Sequence, residues 1–341
     1  MKVDIAILPK LSMSELMQLG VDCENNGLSL WVPDERFFRD VFVCLSALAG
    51  VTRTCTLGTG VTDPYIRHPL LTASAMASLD ELSGGRAVMG IGAGVSGFDA
   101  LGIKRTGPAK AVREAIDLCR RFWAGEKITH ASDHVVANGA QLNFPARAIP
   151  IYITGRGPMI LALGGEVGDG VIIGHFSSDE GISFALDQIA VGLKKRAPER
   201  AKPEIVVWAY TSVCQDGDAA RAAVKPAIGR TISSTPEALD LLGEPAPRLL
   251  EELARFGYSR SAEYDAAMCE HVSDKLTTHL SVSGTPSECI TRIRAIAACG
   301  VSRIILLPYP AKGMSITQMT HLLFSDVLPH LNKSTLAPAG A

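Results

Sequence analysis

The sequence predicts an α/β fold, a (β/α)8 barrel of the TIM type that carries a hairpin insertion and a helical insertion. Short apolar runs, typical of buried parallel strands, alternate about eight times with runs of helical periodicity. Polar or glycine-rich loops follow most of these runs, and such loops are where parallel α/β folds bind ligands. A barrel needs about 250 residues, so the 341 residues of the chain leave room for both insertions.

Eight apolar runs are the predicted barrel strands. They cover residues 3–8, 28–32, 54–57, 87–91, 149–154, 171–173, 205–213 and 303–307. Helical patterns lie between them, and the clearest helix starts are capping boxes at Ser12 and Thr285. A helix over 67–83 begins with a proline in its first turn, and the helix over 108–123 has a regular apolar stripe.

Two segments break this alternation and are interpreted as insertions. Residues 126–148 contain short β-like pieces with Asn138-Gly139 between them, which favours a hairpin. Residues 217–275 are helical and richer in polar residues, and we expect them to lie over the pocket. The sequence therefore predicts one domain over residues 1–330 and a frayed tail over residues 331–341.

The composition argues against several classes of function. Lys and Arg number 33 and Asp and Glu 35, so no partner such as nucleic acid or a membrane surface is expected. No apolar stretch approaches the roughly 18 residues of a membrane span, and we expect a cytoplasmic protein. The eight cysteines form no CxxC pair, which favours reduced thiols in the core.

Metal and hydrolase chemistry find little support in the motifs. His130 and His134 have HxxxH spacing, but they lie in the predicted hairpin without an acidic third ligand. A solvated loop is therefore favoured over a metal site. The chain contains no GxSxG motif, so it offers no nucleophile elbow.

The run GAGVSG at residues 92–97 matches the GxGxxG pattern of dinucleotide-binding folds. Three βα units precede it and loop-like residues follow it, whereas that fingerprint requires a helix at once. We expect these glycines to let backbone N–H groups approach the ring or phosphate of a ligand, with a plain tight turn as the alternative.

A second glycine segment, at residues 154–159, follows the fifth strand at the start of a helix. Unpaired N–H groups and the positive end of the helix dipole favour an anion there, and Gly157 would let a phosphate approach closely. Arg156 would add positive charge. An ordinary glycine-proline helix entry is the alternative interpretation.

Charged residues at other strand ends are candidates for chemistry. Asp34 and Glu35 follow the second strand, where a solvated turn or helix cap is the alternative. Residues 58–64 contain too many glycine, aspartate and proline positions for an ordinary strand exit. The alternative for this segment is that Asp63 and Arg67 merely form a surface pair.

Two histidines are weaker candidates for substrate contact. His68 lies at the start of the helix that follows the 58–64 segment, and His175 comes directly after the sixth strand. We expect His175 to be the better placed of the two, because the carboxyl ends of barrel strands surround the ligand site.

The stretch LGTGVTDPYIRHPLLTASAMASLDELSGGRAVMGIGAG, residues 57–94, resembles the signature of the bacterial-luciferase-like superfamily. It is most similar to the branch typified by methylenetetrahydromethanopterin reductase. WVPD at 31–34, IPIYITGRGP at 149–158 and the glycines at 164 and 170 also match. The resemblance covers nearly all of residues 1–310.

The resemblance implies a barrel that binds coenzyme F420 or, alternatively, FMN at the carboxyl ends of its strands. It also implies a homodimer or higher homo-oligomer that associates through the early helices. In relatives a non-prolyl cis peptide backs the cofactor ring, and the matching bond is Gly60-Val61. The positions that match cofactor contacts are Thr59, Gly60, Val61, Thr62, Gly92, Ala93, Gly94, Val95, Gly155, Arg156, Gly157, Pro158 and Met159.

Two positions depart from the reductase branch. A glutamate of the first strand, which serves a folate-like substrate in that branch, is replaced by Ala6. Asp34-Glu35 stands where many deazaflavin-dependent relatives have Asp-His. Either carboxyl group could act as an acid or base, or anchor the ring, if burial raises its pKa.

The combined prediction is an oxidoreductase that transfers hydride between coenzyme F420 and a small organic substrate. One alternative is an FMN-dependent luciferase-like monooxygenase. Another, of a different class, is a protein that binds the cofactor without turnover. A nicotinamide dehydrogenase is disfavoured, because it would need a helix at residue 98 and an acidic residue at the end of the next strand.

Overall fold

The computed structural model describes residues 1–94, 97–257 and 259–331. Its strands are β1 (Lys2–Ala6), β2 (Leu30–Val32), β3 (Leu57–Thr59), β4 (Ala87–Gly92), β5 (Ile128–Ala131), β6 (Val136–Ala140), β7 (Ile151–Gly155), β8 (Gly170–Gly174), β9 (Glu204–Val213), β10 (Ser281–Gly284) and β11 (Arg303–Pro308). The first helices are α1 (Met13–Asn25), α2 (Val41–Val51), α3 (Pro69–Leu82), α4 (Pro108–Trp123), α5 (Pro158–Val167) and α6 (Asp179–Leu193). The later helices are α7 (Gly217–Ser234), α8 (Ala238–Leu241), α9 (Pro247–Phe256), α10 (Ala262–His271), α11 (Asp274–Leu280), α12 (Pro286–Ala298), α13 (Ile316–Leu322) and α14 (Leu328–Leu331), with a π-turn over Leu323–Val327.

Hydrogen bonds arrange eight strands in the order β9-β11-β1-β2-β3-β4-β7-β8, and β8 pairs back to β9. This closed parallel sheet confirms the predicted (β/α)8 barrel, and each predicted strand overlaps one barrel strand. Strands β4 and β8 are buried along their whole length, as expected of parallel strands covered on both faces. The sequence does not predict β10, a short SVSG segment that pairs with the end of β9.

The contacts within the chain divide it into two compact units. The first unit comprises Asp4–Ile172 and Asp187–Glu204, and the second comprises Met1–Val3, Ile173–Leu186 and the chain from Ile205 onward. The single domain over residues 1–330 stays a prediction. Each unit is described separately below.

Two aromatic rings fill the interior of the first unit. Trp31 and Tyr152 have ring centroids 5.7 Å apart, and the Trp31 indole donates to Asp4 at 2.9 Å. A Cβ atom at Gly58 would lie 2.4 Å from Trp31, and one at Gly170 would lie 2.5 Å from Tyr152. Both glycines are therefore required by the rings, because real Cβ atoms do not approach so closely.

The predicted hairpin is formed by the antiparallel strands β5 and β6. The expected turn at Asn138-Gly139 is wrong, because both residues lie inside β6. The chain turns at residues 132–135 instead, where the Ser132 hydroxyl accepts from the backbone N–H groups of His134 and Val135 at 3.0 Å each. That local hydrogen bonding fixes the turn.

Two side chains attach the hairpin to the neighbouring helices. His130 Nε2 contacts the Glu114 carboxylate of α4, and His68 Nε2 lies 3.1 Å from the Val136 carbonyl of β6. Among the residues that the structure describes, no group of three or more His, Cys, Asp or Glu side chains could hold a metal ion.

The predicted helical insertion corresponds to helices α7 to α10, and α11 continues it. Pro226 lies inside α7 and cannot donate to the Ala222 carbonyl. Instead Cys269 Sγ of α10 donates to that carbonyl at 3.6 Å, and the Tyr264 hydroxyl donates to the Pro226 carbonyl at 3.1 Å. The proline thus frees the Ala222 carbonyl, and contacts to both carbonyls join α10 to α7.

The cysteines and the helices bear on two further predictions, namely reduced thiols in the core and the absence of a membrane span. All eight cysteines are free, and Cys269 is exposed rather than in the core. Burial raises the pKa of the Cys119 thiol to about 12, so it stays protonated at neutral pH. Within the described parts of the chain, no helix has the length and apolar character needed to cross a membrane.

Candidate functional site

The end of β3 forms a bulge between its neighbouring strands in the first unit. The Gly60-Val61 peptide bond is cis, as the resemblance implies. Gly60 N–H donates to the Val32 carbonyl at 2.7 Å, and Thr62 N–H donates to the Gly90 carbonyl at 3.0 Å. These bonds fix the backbone of residues 60–62 against both β2 and β4.

Glycines of β4 are required by this bulge. A Cβ atom at Gly90 would lie 2.1 Å from the Thr59 carbonyl oxygen, and one at Gly92 would lie 3.2 Å from Val61. Gly94 has a φ of 61°, a conformation that favours glycine. The neighbours of these glycines are protein atoms, so their first role is to let the strand ends pack together. Ala93 is partly exposed beside them, and Val95 lies outside the described residues.

A buried ion pair lies beside the glycine segment. The Arg36 guanidinium contacts the Asp63 carboxylate, and the two side chains are only 7% and 2% exposed. The alternative that Asp63 pairs with Arg67 on the surface is wrong, because Arg67 pairs with Asp40 at 2.7 Å. Sequence analysis missed Arg36, whose partner lies 27 residues away.

Asp34 lies at the end of β2 and is partly buried. The Thr62 hydroxyl donates to its carboxylate at 2.8 Å. Burial raises the pKa of Asp34 above its ordinary value, although the hydrogen bond from Thr62 opposes that rise. A carboxyl group with a raised pKa can hold a proton and release it nearer neutral pH, which is the property that a general acid needs.

The segment that follows Asp34 is held at several points, and Phe37 projects from it. The Glu35 carbonyl accepts from Phe38 N–H at 3.3 Å, and the Glu35 side chain is partly exposed. Phe37 has a φ of 65° and its side chain is 73% exposed. A large apolar side chain in a left-handed conformation is unusual, and sequence analysis gave no signal for it.

The start of α5 offers an open N-terminus. Gly157 is the N-cap residue and no side chain caps the helix, and a Cβ atom at Gly157 would have nothing within 4 Å. Pro158 and Met159 form the exposed first turn. Just before it, the buried Thr154 hydroxyl has no hydrogen-bond partner within the described residues. These features suit an anion at the helix N-terminus.

Two residues of the same segment differ in their surroundings. A Cβ atom at Gly155 would lie 2.3 Å from Ile160, so this glycine is required by packing against α5. Arg156 is partly exposed, next to the open helix start.

His68 has a structural role in the first unit. It is the N-cap residue of α3, and its Nδ1 accepts from Leu70 N–H at 3.2 Å. Its Nε2 lies near the Val136 carbonyl of the hairpin. Since both ring nitrogens have backbone partners, we do not include His68 in the function proposed below.

His175 belongs to the second unit, at the end of β8. It has a φ of 66°, and its ring stacks on Tyr210 of β9 with centroids 3.9 Å apart. Tyr309 packs edge-on against Tyr210, and the Tyr210 hydroxyl lies 2.9 Å from Thr231 of α7. Sequence analysis missed both tyrosines, although each lies in or directly after a predicted strand.

The closed parallel sheet and its surrounding helices define a class of protein, the (β/α)8 barrel. Comparison with known proteins specifies the family. The model of the family described as luciferase-like monooxygenase matches residues 1–303, and the chain belongs to this family. The predicted luciferase-like oxidoreductase enzyme is thereby confirmed at the level of the family.

Three relatives illustrate the similarity. A 5,10-methylenetetrahydromethanopterin reductase of Archaeoglobus fulgidus is 34% identical over 338 residues, which cover 97% of this chain and 100% of the relative. The reductase of the same name from Methanolobus tindarius is 33% identical over 307 residues, covering 89% and 93%. The solved coenzyme F420 dependent tetrahydromethanopterin reductase of Methanopyrus kandleri superposes with a TM-score of 0.84 at 25% identity, covering 97% and 99%.

Proposed function

We propose that this chain is an oxidoreductase that transfers hydride between coenzyme F420 and a small organic substrate. The observation that carries the proposal is that one unit contains both the backbone of residues 60–62, fixed against β2 and β4, and a helix start at α5 without a side-chain cap. The similarity to a reductase that is described as dependent on coenzyme F420 supports this cofactor over FMN.

The residues present fit such a cofactor. The backbone of residues 60–62, which is fixed by hydrogen bonds to β2 and β4, would hold its ring together with the glycines at 92 and 94 at the end of the neighbouring strand. Gly157 and the first turn of α5, together with Arg156, would bind its phosphate. The buried Thr154 hydroxyl, which lacks a partner in the described residues, is available for a further hydrogen bond.

The cofactor would supply the hydride chemistry, and the chain would supply binding and proton handling. Asp34 would hold or pass a proton at its carboxylate, because burial favours its protonated form. Glu35, the next residue, would serve as a second carboxyl group or anchor the ring. His175 would contact the substrate, since it ends a barrel strand.

The test is a titration of the purified protein with coenzyme F420 and with FMN, followed by fluorescence quenching. Tight binding of F420 without binding of FMN is expected. Binding of FMN alone would contradict the choice of cofactor and favour a monooxygenase. Binding of neither would contradict the functional proposal and leave the fold unaffected.

The substrate is tested separately. The relatives named 5,10-methylenetetrahydromethanopterin reductases suggest a reduced pterin, but the first strand ends in Ala6, which is fully buried. The acidic residue of that strand, Asp4, accepts a hydrogen bond from Trp31. Oxidation of reduced F420 by 5,10-methylenetetrahydromethanopterin would support the pterin. Absence of this reaction, with F420 still bound, would indicate another small organic substrate.

We also propose that two copies of the chain associate through α2, α3 and the hairpin. Four apolar side chains there are 59–68% exposed, namely Val43, Leu71, Leu82 and Val136. A groove of about 520 Å³ between α3 and the hairpin is lined largely by apolar residues. Exposed apolar area of this kind is typical of protein interfaces. Light scattering after size-exclusion chromatography should give twice the mass of 36.1 kDa, and a monomer at micromolar concentration would contradict it.

A further inference from the structure

The buried pair of Arg36 and Asp63 joins three consecutive strand ends of the first unit. Arg36 follows β2, Asp63 follows the bulge after β3, and Gly94 follows β4. The Arg36 guanidinium contacts the Asp63 carboxylate in a place where both side chains are more than nine-tenths buried. The pair is therefore shielded from water and from salt.

The pair packs directly against the glycine segment. A Cβ atom at Gly94 would lie 2.9 Å from Arg36 and 3.1 Å from Asp63, and one at Gly97 would lie 2.9 Å from Arg36. The guanidinium also lies over the Phe98 ring, 4.3 Å from its centroid. Both flanks of the segment thus rest on the arginine.

The same carboxylate fixes the chain that follows the bulge. Asp63 Oδ1 accepts from Tyr65 N–H at 2.8 Å and from Ile66 N–H at 3.2 Å, while Oδ2 faces Arg36. One aspartate therefore joins the chain that follows the bulge, through Arg36, to Gly94 at the end of the neighbouring strand.

Stability alone is a weak reason for this arrangement. Removing two charges from water costs free energy that their attraction only partly returns. The pair is not fully satisfied either, because Arg36 Nε is buried without a hydrogen-bond partner in the described residues.

Asp63 also acts on Asp34, because Thr62, the residue before Asp63, donates its hydroxyl to the Asp34 carboxylate at 2.8 Å. The charged groups that face Asp34 are Asp63 and Arg67 from the segment after β3, and Asp40 from the N-cap of α2. The negative charge of Asp63 favours the protonated form of Asp34, and Arg67 opposes it. Arg36 contacts Asp63 and so offsets its charge.

We propose that Arg36 and Asp63 are the positioning pair of the candidate site: they hold Gly94 and Gly97 beside the chain that follows the bulge, and they set the charge that Asp34 experiences. This inference rests on the proposed function for its first half, the cofactor site. Its second half concerns the protonation of Asp34, which is joined to the residue before Asp63 by the hydrogen bond from Thr62 and does not depend on a cofactor.

The first experiment measures thermal unfolding and F420 affinity in Arg36→Met and in the double variant Arg36→Met with Asp63→Asn. The single variant leaves a buried aspartate without its partner, so both the melting temperature and the affinity should fall. The double variant removes the unpaired charge and should regain the melting temperature, while its Kd for F420 stays about tenfold above that of the unchanged protein. Recovery of both quantities would show that the pair has a structural role only.

The second experiment follows the titration of Asp34 by carboxyl NMR of protein labelled with ¹³C-aspartate, with Asp34→Asn used for assignment. Arg36→Met should move the titration to higher pH and Asp63→Asn should move it to lower pH, because one exposes and the other removes a negative charge. A structural role would not produce opposite shifts, and equal or absent shifts would overturn the inference.

Two further variants make the outcomes distinguishable. Arg36→Lys keeps the charge but loses the planar guanidinium, so the Asp34 titration should stay near its original pH while F420 binding weakens. Arg113→Met breaks an exposed pair with Glu166 in the same unit and should change neither quantity. If the unchanged protein binds no F420, the proposed function fails, whereas the NMR shifts still test the charge effect.

Discussion

The strand ends of the two units differ in the chemical groups that they present. In the first unit they include backbone and glycine features beside the charged side chains: a cis bulge at Gly60-Val61, a glycine with positive φ at residue 94, and a helix start without a side-chain cap. In the second unit they consist of aromatic side chains, with His175 stacked on Tyr210 and Tyr309 packed against the same ring.

This difference suggests that the two groups of strand ends bind different ligands. Backbone N–H groups and glycines can bind a ring and a phosphate whatever the neighbouring side chains are, so they suit a cofactor that many relatives share. Side chains at strand ends can vary without changing the fold, so they suit a substrate that differs between relatives. We therefore expect the first group of strand ends to determine cofactor affinity and the second to determine substrate preference.

The largest effect is expected from Gly90→Val. A Cβ atom there would lie 2.1 Å from the Thr59 carbonyl oxygen, which is backbone and cannot turn away. The bulge must shift, so we expect F420 affinity to fall about 100-fold, or 2.7 kcal/mol by RT ln K, and stability to fall by about 1–3 kcal/mol. Fluorescence titration and urea unfolding measure the two losses.

Gly50→Ala is the matched control for that change. Gly50 lies in α2 and has nothing within 4 Å of its would-be Cβ, so alanine should stabilise the helix by about 0.5–1 kcal/mol. F420 affinity should stay unchanged. Equal F420 binding by the Gly90 variant and this control would break the link between the bulge and the cofactor.

Asp34→Asn tests the acid of the first group. We expect the rate of hydride transfer to fall about 100-fold if Asp34 handles a proton, with F420 binding nearly unchanged. The pKa of Asp34 is raised by burial, so its ionised form opposes folding at neutral pH. The variant should therefore melt at a higher temperature than the original protein at pH 7.

The gain in stability should shrink as the pH falls below the ordinary range of aspartate, because Asp34 is then protonated in both the folded and the unfolded chain. Calorimetry at pH 7 and at about pH 3, below the ordinary pKa of aspartate, measures it. A variant that is less stable at pH 7 would show that the Thr62 hydrogen bond to the carboxylate outweighs its burial.

His175→Ala tests the second group of strand ends. Removing the ring exposes Tyr210, which remains held by its hydroxyl contact with Thr231 at 2.9 Å. The KM for the substrate should rise about tenfold, or 1.4 kcal/mol, while the Kd for F420 should stay within a factor of two. A matching loss of F420 affinity would contradict the division between the two groups.

The sequence predicts the strands well and the pairing of side chains poorly. Eight apolar runs sufficed for the barrel, since buried parallel strands leave a local pattern. The sequence pattern does not predict the SVSG strand, β10, because this strand is short and lacks large apolar residues. The hairpin turns at Ser132 and not at the predicted Asn138-Gly139. The Ser132 hydroxyl accepts hydrogen bonds from two backbone N–H groups there.

In the candidate site, too, the sequence does not predict which side chains pair with each other. Arg67 lies four residues after Asp63, so proximity in sequence favours that pair. The fold instead brings Arg36 from the neighbouring strand end to Asp63. Which of two arginines reaches a carboxylate depends on the packing of β2 beside β3, and no local pattern of residues contains that information.

The smallest effect on ligand binding is expected from the Glu114→Gln variant. Glu114 lies in α4, outside both groups of strand ends. Burial raises the pKa of Glu114, but the nearby Ser132 and His130 side chains favour the carboxylate more strongly and hold the pKa below its ordinary value. Its carboxylate therefore stabilises the fold above the ordinary pKa of glutamate, and this contribution is lost as the pH falls through the lowered value. The variant should be about 1 kcal/mol less stable at pH 7, with a difference that shrinks as the pH falls below the ordinary range of glutamate, and unchanged in F420 affinity and in KM. A clear loss of F420 affinity would show that the hairpin, through α4, supports the strand ends of the first unit. The hairpin would then belong with the first group of strand ends.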